Sequence, residues 1–337
     1  MKNWIACLLA FLLCIQVAPV FANPGFDTNS TLLSFRGDVR VNSEDVSGRV
    51  AGLEINGQIP VVSGLSNGVF QRRLNDSIMS IFNTRRIAAQ RESARGITFA
   101  FDWVSAVYGD YQDMISIRMT VSSATASGRE EVYTFNFDPY ENRMLNLTDI
   151  LGPNAVPLAN RFILETIRQN PESYNLGFRG ISEDHAFSVE DGICTIWFDK
   201  YAIAPGHRGV RSFDIVLDDV RHVVLQADEY TIARHPYNLK MIPLRDVAQR
   251  LGYTIDPPTR WDDRARTVTI VKNGGFRTTI TIGQNRYMTA ARTWRELEAA
   301  PELEAGRTFV PISFFEIILG AFYTVDHEGT IVFSQYQ

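Results

Sequence analysis

Apolar and polar positions alternate with period two through Ile97-Phe99-Phe101-Trp103 and through Ile115-Ile117-Met119-Val121, and Val132 to Phe137 continues in the same style. Period two puts successive side chains on opposite faces, so these segments are expected as antiparallel strands with one face buried. Ser123-Ala124-Thr125-Ala126-Ser127-Gly128 is a hairpin-type loop of small residues. Two or three further strands are expected in 31–62, and strands resume at 186–190, 193–199, 212–217 and 221–227. The period changes twice. Phe70, Leu74, Ile78 and Phe82 recur at spacing four, with Ile81 beside them. That single stripe predicts a helix of about 25 residues ending near Gly96, with Ser66 or Asn67 placed to cap it. A second helix is expected from Val156 to Gln169, with Leu158, Phe162, Ile163 and Ile167 on one face, Pro157 in its first turn and Pro171 just past its end. The class implied is α+β, a mainly antiparallel sheet with packed helices.

Further along, one pattern is written twice. Met241-Ile242-Pro243-Leu244, Leu251-Gly252-Tyr253-Thr254-Ile255-Asp256 and Thr267-Val268-Thr269-Ile270-Val271 form one copy. Phe309-Val310-Pro311-Ile312, Leu319-Gly320, Tyr323-Thr324-Val325-Asp326 and Thr330-Ile331-Val332-Phe333 form the other. Each copy has an apolar-Pro start, one amphipathic helix, a Leu-Gly stop and two short strands. An internal repeat fixes the architecture of its segment, here a smaller α+β domain over 239–335. Arg234-His235-Pro236-Tyr237-Asn238 is polar, contains Pro and precedes the repeat, so it is expected to link this domain to a first one spanning 31–232. The two are expected to fold separately, because the repeat closes its own core.

The amino terminus changes the compartment. Lys2 supplies a positive charge, Trp4 to Val17 is almost wholly apolar, and Val20-Phe21-Ala22 fits the small-residue cleavage rule. Residues 1–22 are expected to be a signal peptide, and the apolar run falls short of the roughly 20 residues a transmembrane helix needs. The mature protein is then secreted and associated with the cell envelope, with no integral membrane segment after cleavage. It keeps one cysteine, Cys194, inside the strand-like Ile193-Cys194-Thr195-Ile196-Trp197-Phe198. A buried, inert thiol is expected there. The net charge is −5. No polybasic block and no Lys/Arg-rich helix face is seen, which argues against nucleic acid as a partner.

Motifs of chemistry are sparse. The five histidines, His185, His207, His222, His235 and His327, show no metal-ligand spacing. No metal or cofactor is expected, His207 near Asp199 being the least unfavourable pair. Glu130-Glu131, Glu183-Asp184, Asp218-Asp219 and Asp262-Asp263 are acidic pairs, but neighbours on a strand point to opposite faces. There is no Gly-x-Ser-x-Gly elbow, P-loop or dinucleotide fingerprint, so no catalytic residue is assigned. Trp261, Tyr287 and Trp294 could stack on sugar rings, although Trp261 is more simply packed against a repeat helix. The segment that stands out is Tyr201-Ala202-Ile203-Ala204-Pro205-Gly206-His207-Arg208-Gly209. Pro and Gly beside Tyr, His and Arg make either a plain structural turn or a rigid exposed one suited to contacts. Tyr201, Pro205, His207 and Arg208 are the candidate partner-binding residues.

Two resemblances add to this. Ile242-Pro243-Leu244-Arg245, Leu251-Gly252, Trp261-Asp262, Thr267-Val268-Thr269-Ile270, Ile282-Gly283 and Gly306-Arg307-Thr308-Phe309-Val310-Pro311 resemble the copper amine oxidase N-terminal-like (stalk) domain, over 239–335. Asp326-His327 departs from it, standing where the second copy would have Trp-Asp. In amine oxidases copper and the quinone belong to the catalytic domain, so the resemblance implies a stalk and no cofactor. Residues 31–232 resemble the extracytoplasmic region shared by a lysozyme-sensing anti-sigma factor and the non-catalytic module of a peptidoglycan deacetylase. The motifs are Ile59-Pro60, Gly64-Leu65-Ser66-Asn67, Leu74-Asn75, Tyr133-Thr134-Phe135-Asn136-Phe137-Asp138, Leu145-Asn146-Leu147-Thr148-Asp149-Ile150-Leu151 and Phe198-Asp199-Lys200-Tyr201-Ala202-Ile203-Ala204-Pro205-Gly206. The family has an aromatic after Ala-Pro where this chain has Gly206-His207. Together they imply a secreted, non-enzymatic envelope protein that binds peptidoglycan, another wall polymer or a lysozyme-like protein. The alternative is a hydrolase or transferase acting on cell-wall glycans.

Overall fold

The strands alternate as the period-two segments require, and the first half closes around two opposite faces of one sheet. The computed structural model describes residues 39–108, 112–125, 128–175, 177–232, 239–256, 266–272 and 275–337. The expected signal peptide, the link at 234–238 and Trp261 lie outside these residues. Strands β1 (Arg40–Asp45), β2 (Gly48–Val50) and β3 (Leu53–Ser63) are followed by helix α1 (Gly68–Arg91) and by β4 (Gly96–Tyr108), β5 (Gln112–Ser123), β6 (Arg129–Asp138) and β7 (Arg143–Met144). Among the described residues they form a seven-stranded sheet of order β1-β3-β4-β5-β6-β7, with β2 beside β3. All neighbours are antiparallel except β3 and β4, which α1 connects as a parallel pair.

Helix α1 starts where Asn67 accepts hydrogen bonds from the Val69 and Phe70 amides. Leu74, Ile78 and Ala89 are buried on the sheet, Phe82 lies 4.9 Å from Phe99 and Phe70 lies 6.2 Å from Phe137. Asn67→Ala is expected to cost about 1 kcal/mol, read as a lower urea midpoint at unchanged slope. Of the five arginines of α1, Arg72, Arg73 and Arg91 are exposed, Arg86 is half-buried and Arg85 turns inward to Glu131.

The other face of the sheet is covered by α2 (Leu147–Leu151), α3 (Ala155–Gln169), β8 (Phe187–Glu190), β9 (Ile193–Phe198) and β10 (Arg211–Val216), around a core with Met114, Leu158, Ile163, Ile196 and Phe213. Asn146 and Asp149 form a reciprocal capping box at α2, and Gly152 with φ +76° turns the chain into α3.

The repeat appears as a pseudo-symmetric pair. After β11 (Val220–Leu225) and β12 (Thr231–Ile232), the first copy runs β13 (Lys240–Pro243), α4 (Leu244–Arg250), β14 (Thr254–Asp256) and β15 (Thr267–Lys272), with β16 (Phe276–Thr281) added. The hairpin β17 (Tyr287–Met288) and β18 (Trp294–Arg295) and strand β19 (Glu302–Glu304) lead to the second copy. That copy has β20 (Arg307–Pro311), a single π-helical turn Phe315–Leu319, β21 (Phe322–Val325) and β22 (Ile331–Tyr336). Strands β13 and β20 pair across the copies, Ile242 opposite Val310. The fold is α+β and mostly antiparallel, ending in a stalk-like domain.

One strand differs from the expected organisation. β15 is flanked by β14 and β16, and β22 is flanked by β21 and, in the place that β16 holds beside β15, by β11 from upstream of the expected link, with Val223 opposite Phe333. Val223, Leu225 and Tyr230 therefore belong to the core of the repeat. The contact extends to α3. Asn154, almost fully buried, donates to the Val332 carbonyl and to Ser334 Oγ, both at 2.9 Å, and His222 Nδ1 lies 3.0 Å from the same hydroxyl. Arg161 donates to the Gly320 carbonyl and covers the Phe322 ring, and Phe162 meets Tyr336 edge-on at 4.9 Å. Residues Val39–Gln337 form one compact unit.

Candidate functional site

The segment from Asp199 to Gly209 leaves β9 at the open edge of β6 and is pinned by backbone groups. Asp199 Oδ1 accepts from the Val132 amide at 2.8 Å, and the Lys200 amide donates to the Glu130 carbonyl at 3.0 Å. Ile203 and Ala204 are buried, and the Ile203 carbonyl accepts from the Asn175 amide at 2.7 Å. Gly206–Arg208 then makes a 3₁₀ turn that ends at Gly209, φ +68°. Tyr201 itself has φ +75°, a left-handed conformation that costs a bulky residue about 1–2 kcal/mol. Its ring lies on Gly206 so closely that a Cβ there would sit 1.8 Å from Tyr201 Cε1. The Lys200 ammonium is 5.3 Å from the ring centre.

Of the four candidate residues, Tyr201 is 49 % exposed, His207 and Arg208 are exposed and Pro205 is half-buried. The turn thus brings them together on a fixed backbone. The Tyr201 ring packs on Gly206 while the rest of it stays open to solvent, on a backbone held in a sparsely populated conformation. Tyr201→Gly relieves the conformation, so this variant is expected to melt no lower than wild type. A fall of more than about 3 °C, near 1 kcal/mol in a chain of this size, would instead make the ring structural.

Beside the turn lies a cluster that sequence reasoning passed over. Glu130 and Glu131 point to opposite faces, as neighbours on a strand must, and Glu131 faces inward, 9 % exposed. Its carboxyl pKa is raised, chiefly by burial, against the Arg85 guanidinium 3.1 Å away. Arg85 also donates to the Tyr133 hydroxyl, whose pKa burial pushes up to about 12. Asp199 adds a second carboxylate, which raises Glu131 further. Glu131 is nonetheless closed under α1 and engaged by Arg85, an arrangement that ties helix to sheet. The only signal in the sequence was the Glu130-Glu131 pair itself.

The remaining candidates disperse. Tyr287 is fully buried, donates to the Ala299 carbonyl at 2.8 Å and lies 5.5 Å from Phe314. It is core, and this corrects its reading as a sugar platform. Trp294 is 48 % exposed with the Arg286 guanidinium 4.1 Å over its ring. Cys194 is buried in β9 and its thiol is pushed up to about 12, which keeps it protonated and inert. Among the described residues no three His, Cys, Asp or Glu side chains converge as metal ligands, and no helix is long and apolar enough to cross a membrane. A cleft of about 380 Å³ between α4 and β20 is lined by Leu244, Arg245, Asp246, Val268 and Arg307.

An antiparallel α+β module joined by a shared strand to a repeat-built stalk, with one rigid exposed turn, defines the class of this protein. Comparison with known proteins bears on the stalk-like part. Residues 226–333 match the copper amine oxidase N-terminal domain. A protease inhibitor of Brevibacillus choshinensis is 30% identical over 95 residues, 28% of this chain and 27% of that protein. The anti-sigma-V factor RsiV of Bacillus subtilis (strain 168) is 25% identical over 180 residues, 48% of this chain and 62% of that protein. The chain therefore spans less than two thirds of either relative. Crystal structures of DUF3298-family proteins from Bacteroides fragilis and Pseudomonas aeruginosa each align with 54% of this chain. Their identities are 13% and 14%, their TM-scores 0.36 and 0.33, and 92% and 90% of their own chains are covered.

Proposed function

We propose that this chain is a non-catalytic binding or sensing protein that works outside the cytoplasm. Its partner is a cell-wall polymer such as peptidoglycan, or a lysozyme-like protein, held through Tyr201, Pro205, His207 and Arg208. The observation that carries this reading is the pinned turn, which keeps an exposed tyrosine in a strained conformation beside two exposed basic residues. The relationship to an anti-sigma factor supports sensing rather than turnover. The closed position of Glu131 under Arg85 supports binding over the rival hydrolase or transferase reading.

The protein is to be presented with purified peptidoglycan and with lysozyme. An interface arginine or aromatic typically costs about 2 kcal/mol on truncation. His207→Ala with Arg208→Ala is therefore expected to weaken whichever interaction is found by roughly 30-fold, with the melting temperature nearly unchanged. Equal binding by variant and wild type removes the turn from the site. Release of soluble fragments from peptidoglycan by the wild type would establish the enzymatic alternative instead. Inhibition of a secreted protease is a second reading, favoured by the Brevibacillus relative. Titration against a panel of serine and metalloproteases tests it, and undiminished proteolysis at equimolar protein dismisses it.

A further inference from the structure

Among the described residues no element covers the outer face of α1, and its charge is unusually distributed. The whole chain is acidic at −5, yet this helix holds Arg72, Arg73, Arg85, Arg86 and Arg91 against Asp76 alone. Arg85 is used internally by Glu131. Arg73 and Arg91 are exposed, and neither makes an ion pair among the described residues. They are 18 residues apart. Eighteen residues make five full turns, so the two guanidinium groups share one azimuth, about 27 Å from each other along the axis. Between them the same side of the helix exposes the hydroxyls of Ser77, Ser80 and Thr84 and the side chain of Ile87, with Asp76 flanking Arg73. The opposite side, with Leu74, Ile78 and Ala89, is buried on the sheet.

We propose that this stripe binds a linear phosphodiester polymer, laid along the helix axis from Arg73 to Arg91. Two fixed cations separated by several turns cannot meet on one small anion, but an extended chain of phosphates reaches both. Guanidinium forks match phosphate oxygens, and the Ser80 and Thr84 hydroxyls between them donate as well, whereas Ser77 Oγ already donates to the Arg73 carbonyl at 2.8 Å. A membrane surface fits less well, because an interfacial helix must bury an apolar face in lipid and this helix has already spent that face on the sheet. A nucleic acid single strand fits less well too, because the stripe has no aromatic ring on which bases could stack. The surface is distinct from the turn at Tyr201–Gly209, and its test does not depend on what that turn binds.

The probe is poly(glycerol phosphate) immobilised on a sensor, with the full chain in solution over a series of salt concentrations. Binding is expected to weaken as salt rises. R73Q/R91Q is expected to lose affinity about tenfold or more at roughly 0.1 M salt, and to flatten the salt slope by roughly 0.7 per lost contact. R73K/R91K keeps most of the affinity, and the melting temperature stays within about 2 °C for every variant, since Arg72, Arg73 and Arg91 are exposed and Arg86 is half-buried with no ion pair among the described residues. R72Q/R86Q removes the same charge from the other flank and is expected to cost less than threefold, about 0.65 kcal/mol. The proposal is overturned if R73Q/R91Q binds as wild type does, or if the two glutamine pairs lose equally. It is likewise overturned if the wild type binds phosphatidylglycerol vesicles or duplex DNA more tightly than the polymer.

Discussion

A fragment of residues 239–337 is expected to lack a cooperative thermal transition, whereas residues 218–337 regain one. The shorter piece holds both copies of the repeat, yet it lacks β11, and with it Val223 and Leu225, which are fully buried against β22 and its neighbours. Each such side chain contributes about 1.5–3 kcal/mol when buried. Their joint loss is a large share of the 5–15 kcal/mol that holds a typical domain folded. It also bares the open edge of β22, an invitation to intermolecular pairing. Calorimetry on the two fragments decides the matter. Cooperative melting of 239–337 within about 3 °C of 218–337 would show that the repeat is self-sufficient after all.

Gly57→Ala is expected to leave little folded protein. Gly57 stands where β3 leaves its parallel partner β4 and continues beside β1, and it has φ +112°. A Cβ there would lie 1.8 Å from the Phe99 carbonyl oxygen, a backbone atom that cannot swing aside. Strain and clash together exceed the roughly 4 kcal/mol that marks the most damaging substitutions. Gly52→Ala is the control. Gly52 has φ +84° but nothing within 4 Å of its would-be Cβ, so only the conformational term, about 1 kcal/mol, applies. Soluble yield and urea midpoints of the two variants separate the effects. Equal stability of the two would mean that the strand crossing yields without cost.

What could be read from the chain was what local period and punctuation encode. The alternation in β4, β5 and β6, the apolar stripe of α1 and the doubled Pro…Leu-Gly pattern all appear where they were placed. What could not be read depends on closure in space. The pairing of β11 with β22 joins positions more than a hundred residues apart, and neither strand carries a mark of its partner. The strain at Tyr201 arises because Asp199 and Lys200 are tied to β6 while Ile203 is tied to Asn175, a constraint that no composition reports. The arginines of α1 look scattered in the sequence, because attention to the spacing of four along the apolar stripe hides a spacing of eighteen on the opposite side. Tyr287 misled in the other direction, since an aromatic beside a hairpin suits a surface and a core equally.

The ladder between β11 and β22 also sets how the molecule answers a pull. Val220 faces Tyr336, and the Gln337 amide donates to the Asp219 carbonyl, so the end of β11 nearer the first module and the end of β22 nearer the C-terminus lie at the same end of the ladder. Tension between the first module and Gln337 therefore does not load the backbone bonds in parallel. It opens them one after another, starting at Asp219, as a zipper parts. Strand β22 would peel out of the core of the repeat at low force and with a long extension, so the C-terminal end yields where a rigid strut would hold.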